Sequence, residues 1–334
     1  MILIILFTFL LFIFYFLASF NTLKSDHRII FISLFVLSSI VLRYLINPEI
    51  NKDYYGYFNF NNFFEPKDFL SFFFTEPYLY FVYKFFTFFS SDAVTIFLGL
   101  YWFNLILTNI FFIWLVSRRD IAIWKKTLLF TFYYFLFAFV LLRNGPVYIL
   151  FACFFYYSYR NKNFQAVLLT PFMHISSLAM MITMFHKKKY YLFILSTVLV
   201  IVPLMLFFIM PVLSDMLAFE KSLYKINAYS EEMDVVSVFH KMYFLFITVI
   251  VFVTFWIYKK KAFNPILLTA VGFYYIFFFL NPVVGFRFTP YVFFAILLFD
   301  FDGVYNKQVV KILNVASVLL FPYFLLTLFD THYL

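Results

Sequence analysis

Arg43, Arg143 and Arg287 stand at the ends of apolar runs, and His174 stands inside one. Ionisable side chains are costly in a bilayer, so at such positions they mark functional sites by default. A guanidinium is always charged and grips phosphate oxygens through a two-pronged fork. Two or three arginines facing one cavity would hold a pyrophosphate group. Asp53 and Glu76 lie in the hydrophilic stretch that follows the second apolar run, and either carboxylate could take a proton from a hydroxyl nucleophile. His174 could orient a donor phosphate or act as the acid or base.

Each residue also has a plainer reading. Arg43, at a span end, could snorkel to headgroups. Arg143 is followed by Asn144, Gly145 and Pro146 and could form a polar turn between hairpin helices. Arg287 could pair with a lipid phosphate. His174 could be a core histidine bonded to Ser176 or Ser177. Asp53 and Glu76 could be loop acids, and Glu76 directly before Pro77 suits a helix start.

Other chemistries lack residues. Six glycines could hardly supply a phosphate-cradling loop. No His-x-x-x-His or paired-cysteine site occurs, and the lone Cys153 cannot form an internal disulfide. His186 with its three following lysines reads as a cytoplasmic anchor. Asp300 and Asp302 have the spacing of a metal pair, but they fall on the cytoplasmic side and read as a span-end cap. The expectation is no metal and no cofactor.

The elements that must position these residues are membrane helices. Of 334 residues, 65% are hydrophobic, 27% aromatic and only 12% charged. A soluble fold of this length could not hide that much apolar surface, which excludes a disordered chain, a collagen and a disulfide-stapled module. Runs near the 20 residues that span a bilayer cover 1–20, 28–46, 94–117, 126–142, 145–159, 190–213, 239–258, 264–280, 288–300 and 309–329. The first run has no basic residue before it and reads as a permanent span. The net charge of +9 comes mainly from short basic clusters between runs, the pattern that orients a membrane protein, so nucleic acid is not an expected partner.

These clusters are Lys24/Arg28, Arg118/Arg119/Lys125/Lys126, Arg160/Lys162, Lys187–Lys189, Lys259–Lys261 and Lys307/Lys311. The positive-inside rule puts them in the cytoplasm. It puts two acidic loops outside, an outer loop with an interfacial helix over 47–93 and a second loop over 214–238. Strict alternation fails at 77–89 and at 164–185. The first reads as a helix lying along the outer interface, with Lys84 snorkelling. The second reads as a broken helix that enters and returns, weakened near its middle by Pro171. The expected fold is all-α: a single polytopic transmembrane helix bundle over 1–334 with about 10–12 membrane segments, one of them re-entrant. The three arginines then share the outer level with Asp53 and Glu76.

The order and spacing of these residues resemble a known family. Arg43-Tyr44, Asp53-Tyr54 with Tyr57, and Glu76-Pro77-Tyr78 look like the N-terminal signature of the EpsG-like, Wzy-type polysaccharide polymerases. Arg143-Asn144-Gly145 resembles that family's Arg-x-Gly step, His174-Ile175-Ser176 its His-x-Ser element, and Arg287 with Tyr291 its late Arg-x-x-x-Tyr. The likeness runs from about residue 30 to about 300. Pro146 and Asn47-Pro48-Glu49 depart from the pattern.

The resemblance implies a GT-C-like glycosyltransferase in the bacterial inner membrane, with its site facing the periplasm or exterior. It would join undecaprenyl-pyrophosphate-linked oligosaccharide repeat units, as donor and acceptor, into O-antigen, capsule or exopolysaccharide. A chain-length regulator and a flippase would be its protein partners. Arg43, Arg143 and Arg287 would hold the pyrophosphate, Glu76, Asp53 and His174 would be catalytic, and Tyr54, Tyr57, Tyr78 and Tyr291 would meet sugar. A flippase for lipid-linked oligosaccharide is the alternative from another class, although no internal repeat is visible and the cations cluster on one face. A polysaccharide ligase is the nearest enzymatic alternative.

Overall fold

The computed structural model describes residues 2–50, 54, 58, 77–174, 177–204, 238–299 and 307–330. Among them every regular element is helical. In chain order the helices are α1 (Ile2–Ala18), α2 (Ser25–Leu45), α3 (Pro77–Phe86), α4 (Ala93–Ser117), α5 (Ile123–Phe135), α6 (Gly145–Tyr159), α7 (Thr170–Met173), α8 (Ser177–Met181), α9 (Tyr191–Leu204), α10 (Val238–Tyr258), α11 (Pro265–Leu280), α12 (Pro282–Phe286), α13 (Thr289–Leu297) and α14 (Lys307–Asp330). Among the described residues four segments are long and apolar enough to cross a membrane: Ser25–Leu45, Ala93–Ser117, Ile123–Val140 and Lys241–Tyr258. The described part of the chain is thus all-helical, and these segments make it a membrane protein.

Local sequence sets the helix limits. Asp92 caps α4 by accepting from the Thr95 amide at 2.9 Å. Asn264 and Asn281 cap α11 and α12, and each is followed by a proline at the first helical position. There the missing N–H removes nothing the helix needs.

The chain forms two compact units. The first comprises described residues within 1–65, 77–149 and 305–334, the second those within 150–304. In the first unit an aromatic core centres on Phe130, whose ring lies 4.3 Å from Tyr15 and 4.7 Å from Tyr134. Phe321 of α14 stacks on Phe12 of α1 at 3.8 Å. Such pairs contribute roughly 0.5–1.5 kcal/mol beyond the area they bury.

One end of this unit gathers basic residues. The Arg28 side chain donates to the Phe20 carbonyl at 2.9 Å and closes the α1–α2 turn. Lys126, part of a basic cluster that the charge pattern assigns to the cytoplasm, is fully buried. Its ammonium donates to Asn21 Oδ1 at 2.9 Å and to the Val116 carbonyl at 3.0 Å. Arg43 stands at the other end of α2, whose 21 residues extend about 30 Å.

In the second unit α11 is the hub. Phe278 stacks on Phe244 of α10 at 4.2 Å, and Tyr275 donates to Thr248 at 3.1 Å. The Tyr191 and Thr269 hydroxyls bond α9 to α11. Helix α13 is buried along its whole length, and the Tyr159 hydroxyl donates to its Ala295 carbonyl at 2.8 Å.

Three segments refine the sequence reading. The run 77–89 carries a helix of only 10 residues, about 15 Å and half of a hydrocarbon core. In the run 288–300 the helix covers only Thr289–Leu297. The segment 164–185 breaks at His174, which is extended at φ −157° and ψ 124°, rather than at Pro171. Pro171 occupies the start of α7, where proline fits. Thr170 Oγ1 lies 3.6 Å from Met181 Sδ, whereas a straight helix would set them about 16 Å apart. The segment therefore folds back on itself.

Candidate functional site

The candidate site residues fall in both units. In the first, Arg43 occupies the last turn of α2, one turn beyond Ser39. That face of α2 packs inward because Ser39 is tied to α4 and α5. Asn109 donates to the Ser39 hydroxyl at 2.7 Å and accepts from the Tyr134 hydroxyl at 2.9 Å. Arg43 follows the same face and is 4% exposed. The plain snorkelling reading does not describe this placement, since the side chain turns into the protein. Its guanidinium carbon lies 4.5 Å from the Tyr101 ring centre and 5.8 Å from that of Phe139. Nη1 is enclosed and has no hydrogen-bond partner among the described residues. A cation so placed is held by ring faces and keeps its donor capacity for an acceptor.

Phe139 belongs to a π turn, Leu136–Val140, that ends α5. The Leu141 amide reaches the Leu136 carbonyl at 2.6 Å, five residues back. A π turn widens the helix, and such turns recur at functional sites. The Asn104 amide donates to the Phe137 carbonyl, an acceptor at the end of a helix that needs a partner from outside it. Arg143 follows in the turn 142–144 and is half-buried. The Gly145 amide closes that turn on the Leu141 carbonyl at 2.8 Å. Arg43 and Arg143 thus lie on the same end of this unit, opposite Arg28 and Lys126.

Two of the four candidate tyrosines are near these elements. Tyr54 meets the edge of Phe97 at 4.9 Å, and Phe97 meets Tyr101 at 5.0 Å. A line of rings therefore joins Tyr54 to the Arg43 cation. Tyr78 is buried in α3 and its hydroxyl has no partner among the described residues. Burial pushes that hydroxyl well above its usual range, so it stays protonated. Asp53, Tyr57 and Glu76 lie outside the described residues, as do Ile175 and Ser176.

In the second unit His174 is buried at the fold-back. Its amide donates to the Thr170 carbonyl at 2.9 Å and its carbonyl accepts from the Ser177 amide at 3.0 Å. Arg287 ends α12 and is half-buried. It is positioned by a tight helical corner. Asn281 takes the Val283 and Val284 amides at 3.0 and 3.1 Å. Gly285 presses against Phe278, so closely that a Cβ would come within 2.5 Å of the Phe278 Cα. Tyr291 is buried, edge-on to Phe151 at 5.1 Å.

Sequence reasoning missed Tyr101, Asn104 and Phe139. A signal was available for the first two. Tyr101, Asn104 and Thr108 recur at helical spacing in an otherwise apolar span, which marks a protein-facing stripe. Among the described residues no group of three His, Cys, Asp or Glu comes together to hold a metal ion. Neither a protein-family model, nor a curated protein, nor a solved structure matches this chain.

Proposed function

We propose that this protein is a GT-C-like membrane glycosyltransferase that polymerises undecaprenyl-pyrophosphate-linked repeat units at the outer face of a bacterial inner membrane. About ten spans and a re-entrant 164–185 segment carry the site. The observation that carries the reading is Arg43: a buried cation at the end of a membrane-length helix, seated on Tyr101 and Phe139, with Nη1 lacking a partner among the described residues. A positioned cation in a low-dielectric site stabilises a departing pyrophosphate much more than it would in water.

In this mechanism the acceptor hydroxyl attacks the anomeric carbon of the donor. The bond to the pyrophosphate oxygen breaks, and undecaprenyl pyrophosphate leaves with the electron pair. Arg43, Arg143 and Arg287 take up the charge. Glu76 or Asp53 accepts the hydroxyl proton, and His174 orients the donor. Tyr54, Tyr57, Tyr78 and Tyr291 supply ring faces to the sugars.

Deletion of the gene with analysis of surface glycan tests this. Loss of polymerase leaves single repeat units at the surface. A surface with no repeat units at all would favour a flippase, and an unchanged polymer would end the proposal.

A further inference from the structure

We infer that Asn104 and Asn144 form, beside Arg43, a subsite that reads the sugar attached to the pyrophosphate. The inference rests on the polymerase reading above for the class of ligand and goes beyond it in assigning two residues to recognition.

Three polar atoms belong to residues that pack on the π turn of the first unit or follow it directly. Arg43 Nη1 is a donor, and Asn104 Oδ1 and Asn144 Oδ1 are acceptors. All three are enclosed and none has a hydrogen-bond partner among the described residues. Their parent side chains are at most 8% exposed. The neighbourhood is common to all three. Arg43 lies over Tyr101 and Phe139. Asn104 is one turn from Tyr101 on α4 and bonds the Phe137 carbonyl. Gly145, next to Asn144, sits so that a Cβ would lie 3.5 Å from that same carbonyl oxygen.

Buried polar atoms are ordinarily satisfied, so a group of three calls for an occupant. The chemistry of the three defines it. The Asn104 amide nitrogen is committed to Phe137, which fixes the direction of its oxygen. Two carbonyl oxygens ask for hydroxyl or N–H donors, while the guanidinium asks for an anionic acceptor. A pyrophosphate alone offers acceptors only and would leave both asparagines bare. A sugar pyrophosphate offers both on neighbouring atoms. Half-buried Arg143, adjacent to Asn144, marks where this turn borders the surface.

The test uses the full chain in lipid nanodiscs. Its probes are undecaprenyl pyrophosphate and the lipid-linked repeat unit extracted from the deletion strain. The wild type should bind the repeat unit at least about tenfold more tightly than the bare lipid, because a site built for hydroxyls discriminates strongly against ligands lacking them. Asn144→Ala should bring the two affinities together by weakening only the repeat unit, and Asn104→Ala should do the same where it folds. Equal affinities in the wild type, or a preference that survives Asn144→Ala, would overturn the inference and leave the polymerase reading standing. So would equal weakening of both ligands, the mark of a structural or water-binding role. Failure of the wild type to bind either lipid would overturn both.

Discussion

The Arg43 guanidinium carbon sits 4.5 Å from the centre of the Tyr101 ring, and the Tyr101 hydroxyl points at the Pro48 carbonyl 3.5 Å away. The ring therefore serves the cation with its face and the following turn with its edge. A buried charge normally demands an opposite charge or neutralisation. Here the negative faces of two rings take part of that role without using up the hydrogen-bond donors. A carboxylate in the same place would occupy the fork that a phosphate needs.

Removing the ring should separate these contributions. Tyr101→Phe keeps the face and gives up one long hydrogen bond, so polymer and thermal stability should stay near wild type. Tyr101→Leu removes a cation–π contact of about 0.5–2 kcal/mol and should lower the melting temperature in detergent while shortening or abolishing polymer. Arg43→Lys should rescue little, because an ammonium cannot reproduce the fork. Wild-type polymer in Tyr101→Leu would remove the ring from the site.

Asn109 ties α2 to α5 by accepting from Tyr134 and donating to Ser39. A thermodynamic cycle of Asn109→Ala, Tyr134→Phe and the double variant should give a coupling of about 0.5–1.7 kcal/mol, the range for hydrogen bonds between membrane helices. Strict additivity in the cycle would show that the two side chains do not meet.

Gly285 leaves no room for a side chain. An alanine Cβ would fall 2.5 Å from the Phe278 Cα and 2.6 Å from its nitrogen, and backbone cannot swing away as a side chain can. Gly285→Ala should cost about 1–3 kcal/mol through forced separation of α11 and α12. It should also reduce polymer, since Arg287 is two residues on. The melting temperature in detergent reports the first effect. An unchanged value would mean that the two helices do not approach so closely.

Much of the helical skeleton was legible in the sequence because apolar runs dominate it. The runs 94–117 and 264–280 became Ala93–Ser117 and Pro265–Leu280, where Asp92, Asn264 and Pro265 supply local start signals. The surroundings of Arg43 were not legible. Tyr101 and Phe139 are 58 and 96 residues away in sequence, and in a chain with 59 Phe, 27 Tyr and 4 Trp no local rule selects two rings. The π turn also escaped, because the run 126–142 is evenly apolar and gives no periodic cue. The break at 164–185 was expected at Pro171 on helix-breaking grounds. It falls at His174 because proline is harmless at a helix start and the reversal follows the end of α7.

Asp92 makes α4 sensitive to acid. The carboxylate accepts from the Thr95 hydroxyl at 2.7 Å and from the Thr95 amide at 2.9 Å. The side-chain bond first and the amide second hold its pKa below the usual carboxylate value, while partial desolvation opposes them. A folded pKa below the unfolded value of about 3.9 means that the cap stabilises the fold above that pH. The contribution is lost as pH falls through the folded value. Asp92→Ala should melt below wild type at pH 7, and the gap should narrow at pH 3. A gap that is constant across this range would show that the charged cap contributes nothing.

The fold-back at His174 makes the sharpest prediction about topology. Thr170 and Met181 touch at 3.6 Å, and under the proposed re-entrant reading of 164–185 the flanking Lys162 and Lys188 would lie on one side of the membrane. Single cysteines at Ser90, Arg119, Lys162, Lys188 and Lys260 can be placed in a Cys153→Ser background and treated with a membrane-impermeant thiol reagent on intact cells. Ser90 follows α3, which the charge pattern of the sequence assigns to the outer side, and should label. Arg119, Lys162, Lys188 and Lys260 should label only after the cells are opened, because basic clusters stay in the cytoplasm. Labelling at Lys188 but not at Lys162 in intact cells would mean that the segment crosses. His174 would then lie along a full span rather than at the tip of a re-entrant one, and its part in orienting the donor phosphate would have to be given up.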